Sequence, residues 1–347
     1  MQDYLHATPS ALIRLSGSQI VVQFSPFLLV LVSPGLVSST VSTSQTSSSS
    51  AGRSIFGTNS TVKPIRTLKN VRLNMAPTRI ILDTDLSMGA GADVDDGFAL
   101  ALAHADPNIQ LDLVTTVNGN TDVESATILT GVLMDRLNVN AQDTPLVRGA
   151  ETPMMYSEKR RIPAAHVSAM KNTARQPVTG KYAALAMVEH IMANPGEITV
   201  VAIGPLTNIA TAILLEPRIK TAVKELVIMG GVFFGSMYSH NKPGEFNVFT
   251  DPEAARAVLY SGISQRWIGL DVTLQVRLTM EDADSLKKSP SKFAQFAGQA
   301  SATYIDYQAV RFPGRPKMTS VPMHDPWRWH VCRSRSCAST EIWLLIS

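Results

Sequence analysis

The stretch RIILDTDLSMGAGADVDDGFALALA, residues 79–103, decides the fold. After Arg79, three apolar residues, Ile80-Ile81-Leu82, stop abruptly at Asp83. A short apolar run without polar alternation is the pattern of a parallel strand buried on both faces. An acidic, glycine-rich loop follows, and Phe98 to Ala105 then takes on helical character. Strand, loop and helix in that order predict the opening of a β-α-β unit.

The alternation continues downstream. Leu111 to Val117 predicts a strand and Val123 to Leu137 a helix; Ala183 to Met192 predicts a helix, Ile198 to Ile203 a strand, and Thr207 to Leu215 a helix after a Gly-Pro turn. Leu226 to Met229 and Trp267 to Leu270 are two more short apolar runs, each followed by Gly or Asp. Parallel strands need crossover connections, and helices are the usual ones. The expected fold is therefore α/β, a single domain with a mostly parallel, doubly wound (Rossmann-like) central sheet flanked by helices. Ligands bind such sheets at the carboxyl ends of the strands. Asp83, Asp85, Asn118, Asn120, Ile203, Met229 and Asp271 should then converge on one crevice.

Three segments are expected. Residues 1–74 read as a disordered or targeting-like leader, with 11 Ser/Thr among the 13 residues 38–50 as a linker too polar to pack. Residues 75–326 form the main domain, and residues 327–347 an atypical basic tail. The leader holds six Lys/Arg and one Asp, so the remainder carries 25 basic against 27 acidic residues despite the overall +3. That balance offers no electrostatic footprint for nucleic acid. The apolar run Ile20–Val37 is broken by Gln23, Pro26, Pro34 and Gly35 and makes a poor membrane span. Cys332 and Cys337 have neither a second Cys pair nor a nearby His pair, which argues against zinc or a disulfide framework and for a reducing, cytoplasmic setting. A leader rich in Ser and Arg and poor in acids also suits a mitochondrial transit peptide, the alternative location.

Asp83, Asp85, Asp95 and Asp96 lie within 14 residues, with Asp93 beside them. Carboxylates this close raise one another's pKa unless a cation neutralises them. All-oxygen ligation selects a hard ion, and several carboxylates with room for backbone carbonyls favour Ca²⁺. The plainer reading is an acidic helix start, with Asp93, Asp95 or Asp96 capping the helix that contains Phe98. An EF-hand loop beginning at Asp83 fails, because Met88 and Val94 stand where Gly and Glu are required.

The blocks IILDTD (80–85), DVDDGFALALA (93–103), TTVNGN (115–120), GPLTNIA (204–210), VIMGG (227–231), EFN (245–247) with DPEAA (251–255), GLDVT (269–273) and HDP (324–326) follow one another in this order. In these blocks and their order the chain resembles the inosine/uridine-preferring nucleoside hydrolases. The resemblance implies hydrolysis of the N-glycosidic bond of purine and/or pyrimidine ribonucleosides by a Ca²⁺-activated water, in nucleoside catabolism and salvage. It implies metal ligation by Asp85, Asp96, Asp325 and the backbone carbonyl of Ile203. Asp85 would be the general base, supported by Asp83, and His324 would stand near the departing base. Asp95, Asn120, Glu245 and Asn247 would bind ribose hydroxyls, with Met229 at the pocket floor and Asn241 near the ribose 5′ end. A homodimer or homotetramer acting on a small nucleoside is also implied.

Two features depart from the family pattern. The loop Leu86–Val94 is longer, and residues 327–347 do not resemble the family's C-terminal elements, which look missing. Two other functions compete. Asp83-Thr84-Asp85-Leu86-Ser87 also resembles the opening block of haloacid-dehalogenase-type Mg²⁺ phosphatases, with Asp83 as nucleophile. A truncated, inactive relative that only binds nucleoside or ribose is the other. Asn208 reads equally as a helix cap or a ligand contact.

Overall fold

The computed structural model describes residues 76–88, 93–155, 175–178, 180–234, 244–311 and 318–326, together with four short strands, β1 (Leu12–Leu15), β2 (Ser18–Val21), β8 (Tyr238–Ser239) and β9 (Lys242–Pro243), numbered in chain order. The chain separates into Met1–Leu29 with Pro77–Ser347, and Val30–Ala76; every described element belongs to the first unit.

Six parallel strands form the centre of the sheet. Numbered along the chain after β1 (Leu12–Leu15) and β2 (Ser18–Val21), they are β3 (Thr78–Thr84), β4 (Ile109–Thr116), β5 (Leu146–Arg148), β6 (Thr199–Ala202), β7 (Glu225–Met229) and β10 (Gln265–Ile268). Their spatial order is β10-β7-β6-β3-β4-β5. β2 pairs parallel with β10 and antiparallel with β1. The rest of the expected leader, and the expected tail 327–347, lie outside the described residues.

The apolar runs are continuous because both faces of the sheet are covered. Ile80 and Leu82 of β3 enter one core with Val114, Val201 and Val227, while Ile81 enters the other with Leu113, Val200 and Ile228. Helix α1 (Asp95–Ala105) is buried through nine of its residues, so it shows little amphipathic pattern. Phe98 on α1 meets Phe293 of the 20-residue helix Lys292–Arg311 edge-on, with centroids 6.1 Å apart. Helix α2 (Val123–Arg136) starts where Asp122 accepts a hydrogen bond from the Ser125 amide at 3.0 Å. Among the described residues no helix is long and apolar enough to cross a membrane.

The chain runs from β3 outward through β4 to β5, then returns to β6 on the other side of β3. The strand order therefore reverses between β3 and β6, which is where doubly wound sheets open a ligand crevice.

Candidate active site

β3 delivers Asp83, Thr84 and Asp85 to that switch point, all three fully buried. The Thr115 hydroxyl on β4 and the Asn208 amide donate to Asp83 Oδ1 at 2.6 and 2.8 Å. Asp83 Oδ2 has no partner among the described residues. Burial pushes the Asp83 carboxyl up to about 7, against the pull of these two donors. Asn208 neither caps its helix, whose N-cap is Leu206, nor stands free for a ligand. It also donates to the Thr116 carbonyl and accepts from the Ala150 amide, tying β3, β4 and the loop after β5 together.

Asp85 Oδ2 accepts from the Asn120 backbone amide at 2.7 Å, while its Oδ1 has no partner among the described residues. The Asn120 side chain reaches Asp96 Oδ2 at 3.2 Å, and the Thr84 hydroxyl donates to Asp96 Oδ1 at 2.5 Å. Close approach of the Asn118–Asn120 turn depends on Gly119, where a Cβ would lie 2.0 Å from Asp85 Oδ2. Burial first, then the neighbouring Asp96 charge, raise the Asp85 pKa well above its ordinary value; burial and Asp95 push Asp96 up to about 8.

Asp95 and Asp96 occupy the first turn of α1, but neither caps it. The N-cap is Val94, so the plainer reading of these acids as a cap does not hold. Beyond Asp85, Leu86, Ser87 and Met88 are buried, and a Cβ on Gly97 would meet Met88 Sδ at 2.1 Å. From the far end of the chain, β11 (Arg277–Thr279) and β12 (Ser320–Pro322) form an antiparallel pair that leads into His324 and Asp325. The His324 amide donates to Asp95 Oδ2 at 2.9 Å, and the Asp325 side chain hydrogen-bonds that of Asp95. Oxygens of Asp95, Asp96 and Asp325 all fall within 4.8 Å of one another, so residues from opposite ends of the domain make one acidic cluster that could hold a metal ion. Asp85 is linked to that trio through Asn120, and Asp95 belongs to it.

The other expected positions divide. Asn247 donates to the Ile203 carbonyl at 3.1 Å and, more weakly, to that of Met229 at 3.4 Å, which brings the ends of β6 and β7 onto the short helix Phe246–Thr250. Glu245 caps this helix, accepting from the amides of Asn247 and Val248, and from Gly231 across the turn. Asp271, expected at the crevice from its strand end, accepts from the amides of Phe233 and Phe234 with its carboxylate. Asn118 is buried, and neither its Oδ1 nor its Nδ2 has a partner among the described residues. Asn241 lies outside the described residues. Thr84, Thr115 and Thr273 are polar partners that the sequence reading does not single out, although each sits inside a quoted block.

Buried carboxyls packed together with raised pKa values are costly to ionise, and a hard cation is what lowers that cost. The donor set fits such an ion: carboxylate oxygens, a nearby backbone carbonyl and an unpartnered Asp85 Oδ1.

Residues 80–341 match the sequence model of the inosine-uridine preferring nucleoside hydrolases. A probable uridine nucleosidase 1 from Oryza sativa subsp. japonica is 33% identical over 255 residues, covering 72% of this chain and 74% of that protein. An inosine-uridine preferring nucleoside hydrolase from Leishmania major is 34% identical over 229 residues, covering 63% and 69%. A plant nucleoside hydrolase structure superposes with a TM-score of 0.61 at 29% identity, over 72% of this chain and 76% of that one.

Proposed function

Because the chain belongs to the inosine-uridine preferring nucleoside hydrolase family, hydrolases of N-glycosyl bonds, we propose that it cleaves purine and pyrimidine ribonucleosides to free base and ribose with Ca²⁺ in its acidic cluster. The observation that carries this reading is the convergence of Asp83, Asp85, Asp95, Asp96 and Asp325 on the sheet's switch point. Ribosyl C–N cleavage passes through an oxocarbenium-like transition state, so it needs a water held by a base on one face and help for the leaving group on the other.

Asp85, Asp96, Asp325 and the Ile203 carbonyl would hold the ion, with Asp95 beside them. Bound there, Ca²⁺ supplies the positive charge that keeps the cluster ionised and acidifies water next to it. Asp85 takes the proton of the attacking water through its unpartnered Oδ1. Asp83, held by Thr115 and Asn208, supports Asp85 from the strand below. Asp95, Asn120, Glu245 and Asn247 seat the ribose, Met229 lines the floor and Asn241 is assigned to the 5′ end. His324 faces the departing base with a ring N–H. The cysteine usage suits a reducing, cytoplasmic compartment, and the family suggests a homo-oligomer.

The test is base release from uridine, cytidine, inosine and adenosine, with and without chelator, repeated on Asp85→Ala. Wild-type protein should release base only with the ion present, and Asp85→Ala should lose on the order of 10²–10⁴ in kcat with its fold intact. Turnover that survives both chelation and this substitution, or phosphate release from p-nitrophenyl phosphate instead, refutes the assignment.

A further inference from the structure

Thr273 is a buried polar group that the mechanism above leaves unused. It is fully buried at the end of the short helix Leu270–Thr273, and its hydroxyl lies 2.7 Å from His324 Nδ1. Among the described residues that hydroxyl has no other hydrogen-bond partner. A buried donor left unpaired is costly, so the single hydroxyl proton is directed at Nδ1. Nδ1 is then an acceptor, and the neutral ring carries its proton on Nε2. The His324 backbone is pinned by the hydrogen bond that its amide donates to Asp95 Oδ2 at 2.9 Å. Main chain and one ring nitrogen are both fixed, while Nε2 has no partner among the described residues.

We propose that Thr273 is a positioning residue for hydrolysis: its hydroxyl donates to His324 Nδ1 and sets the tautomer that presents Nε2–H to the departing base. This rests on the reading of His324 as the residue at the leaving group. In the reaction the C1′–N bond breaks with its electron pair moving to the base, the water oxygen bonds to C1′, and Asp85 takes the water's proton. Negative charge grows on the base as it leaves, and a neutral imidazole N–H stabilises it by hydrogen bonding without surrendering its proton. Solvent then protonates the base, and Asp85 returns its proton to solvent. The opposite tautomer would turn a lone pair toward that growing charge. Thr273 thus acts on the leaving group through His324 and touches no substrate itself.

The test compares nucleosides with p-nitrophenyl riboside, whose phenolate leaves without help, across Thr273→Val, Thr273→Ser and His324→Ala. Thr273→Val should lower kcat on uridine and inosine about 10- to 100-fold with little change in KM, leave p-nitrophenyl riboside turnover within about twofold, and be rescued by Thr273→Ser. Imidazole ¹⁵N shifts of the wild-type protein should show His324 protonated on Nε2, and those of Thr273→Val a mixture of tautomers. Wild-type nucleoside turnover in Thr273→Val, an equal loss on both substrate types, or a proton on Nδ1 in the wild-type spectrum each overturns the proposal. His324→Ala separates the two levels of the argument. If that variant loses nucleosides and p-nitrophenyl riboside equally, the leaving-group reading of His324 itself is wrong, and the role of Thr273 falls with it.

Discussion

Gly119→Ala should disable the site through one methyl group. Gly119 does not occupy the left-handed backbone region, so alanine brings no backbone strain there. The cost is steric: the new Cβ would sit 2.0 Å from Asp85 Oδ2, 2.7 Å from its Cγ and 2.8 Å from its Cβ. Ordinary contact begins near 3.4 Å, so the carboxylate or the turn must retreat by about 1.4 Å. Retreat breaks the 2.7 Å bond from the Asn120 amide and swings Asp85 Oδ1 away from the attacking water. A misplacement on the order of 1 Å costs about 10²-fold in rate. The assay is steady-state base release from uridine and inosine with saturating Ca²⁺, alongside thermal melts. We expect kcat to fall about 100-fold with the melting temperature lowered only modestly. A variant with wild-type kcat would refute the assignment of Asp85 as base, because the methyl must displace either the carboxylate or the turn whose amide holds it.

Two further outcomes follow from the buried carboxyls. Asp83 and Asp96 are held at about 7 and about 8, above the ordinary carboxylate value. Between roughly pH 4 and 8 the folded chain therefore retains protons that the unfolded chain has released, and the contribution of these groups to stability falls as pH rises through that window. Thermal melts of chelated protein should drop steadily from pH 5 to pH 8, and added Ca²⁺ should flatten the slope; a chelated protein that gains stability over this range contradicts the account. Asn208→Ala should cost about 1–3 kcal/mol, because it strips partners from the Ala150 amide, the Thr116 carbonyl and Asp83. Denaturant titration reads that loss, and a change below half a kcal/mol, roughly the scatter of surface substitutions, would show the tie to be unimportant.

The strands were legible because burial on both faces writes an unbroken apolar run, and Ile80-Ile81-Leu82 and Leu226 to Met229 both landed on strands. Helix Thr207–Leu215 was read to the residue, since a Gly-Pro turn marks its start. The helices Met280–Lys287 and Lys292–Arg311 were not read. The first is marked by a capping box, Thr279 with Asp282, and the second is rich in alanine and polar residues, with little contrast between its faces. At the site, carboxylates could be listed from their spacing, and Asp325 from a resemblance. Which of them share an oxygen cage depends on tertiary distance, so Asp95 joining Asp96 and Asp325 was not written in the spacing. Asp271 shows the converse: a polar residue at a strand end spent on two loop amides. Hydroxyl partners such as Thr84, Thr115 and Thr273 give no sequence signal of their own, because threonine is ordinary in strands and at helix ends.

The most direct measurement is a crystal grown with Ca²⁺ and its anomalous difference map. The account predicts one peak at about 2.3–2.6 Å from carboxylate oxygens of Asp85, Asp96 and Asp325. A map with no peak there, from crystals whose protein binds the ion elsewhere or not at all, contradicts it.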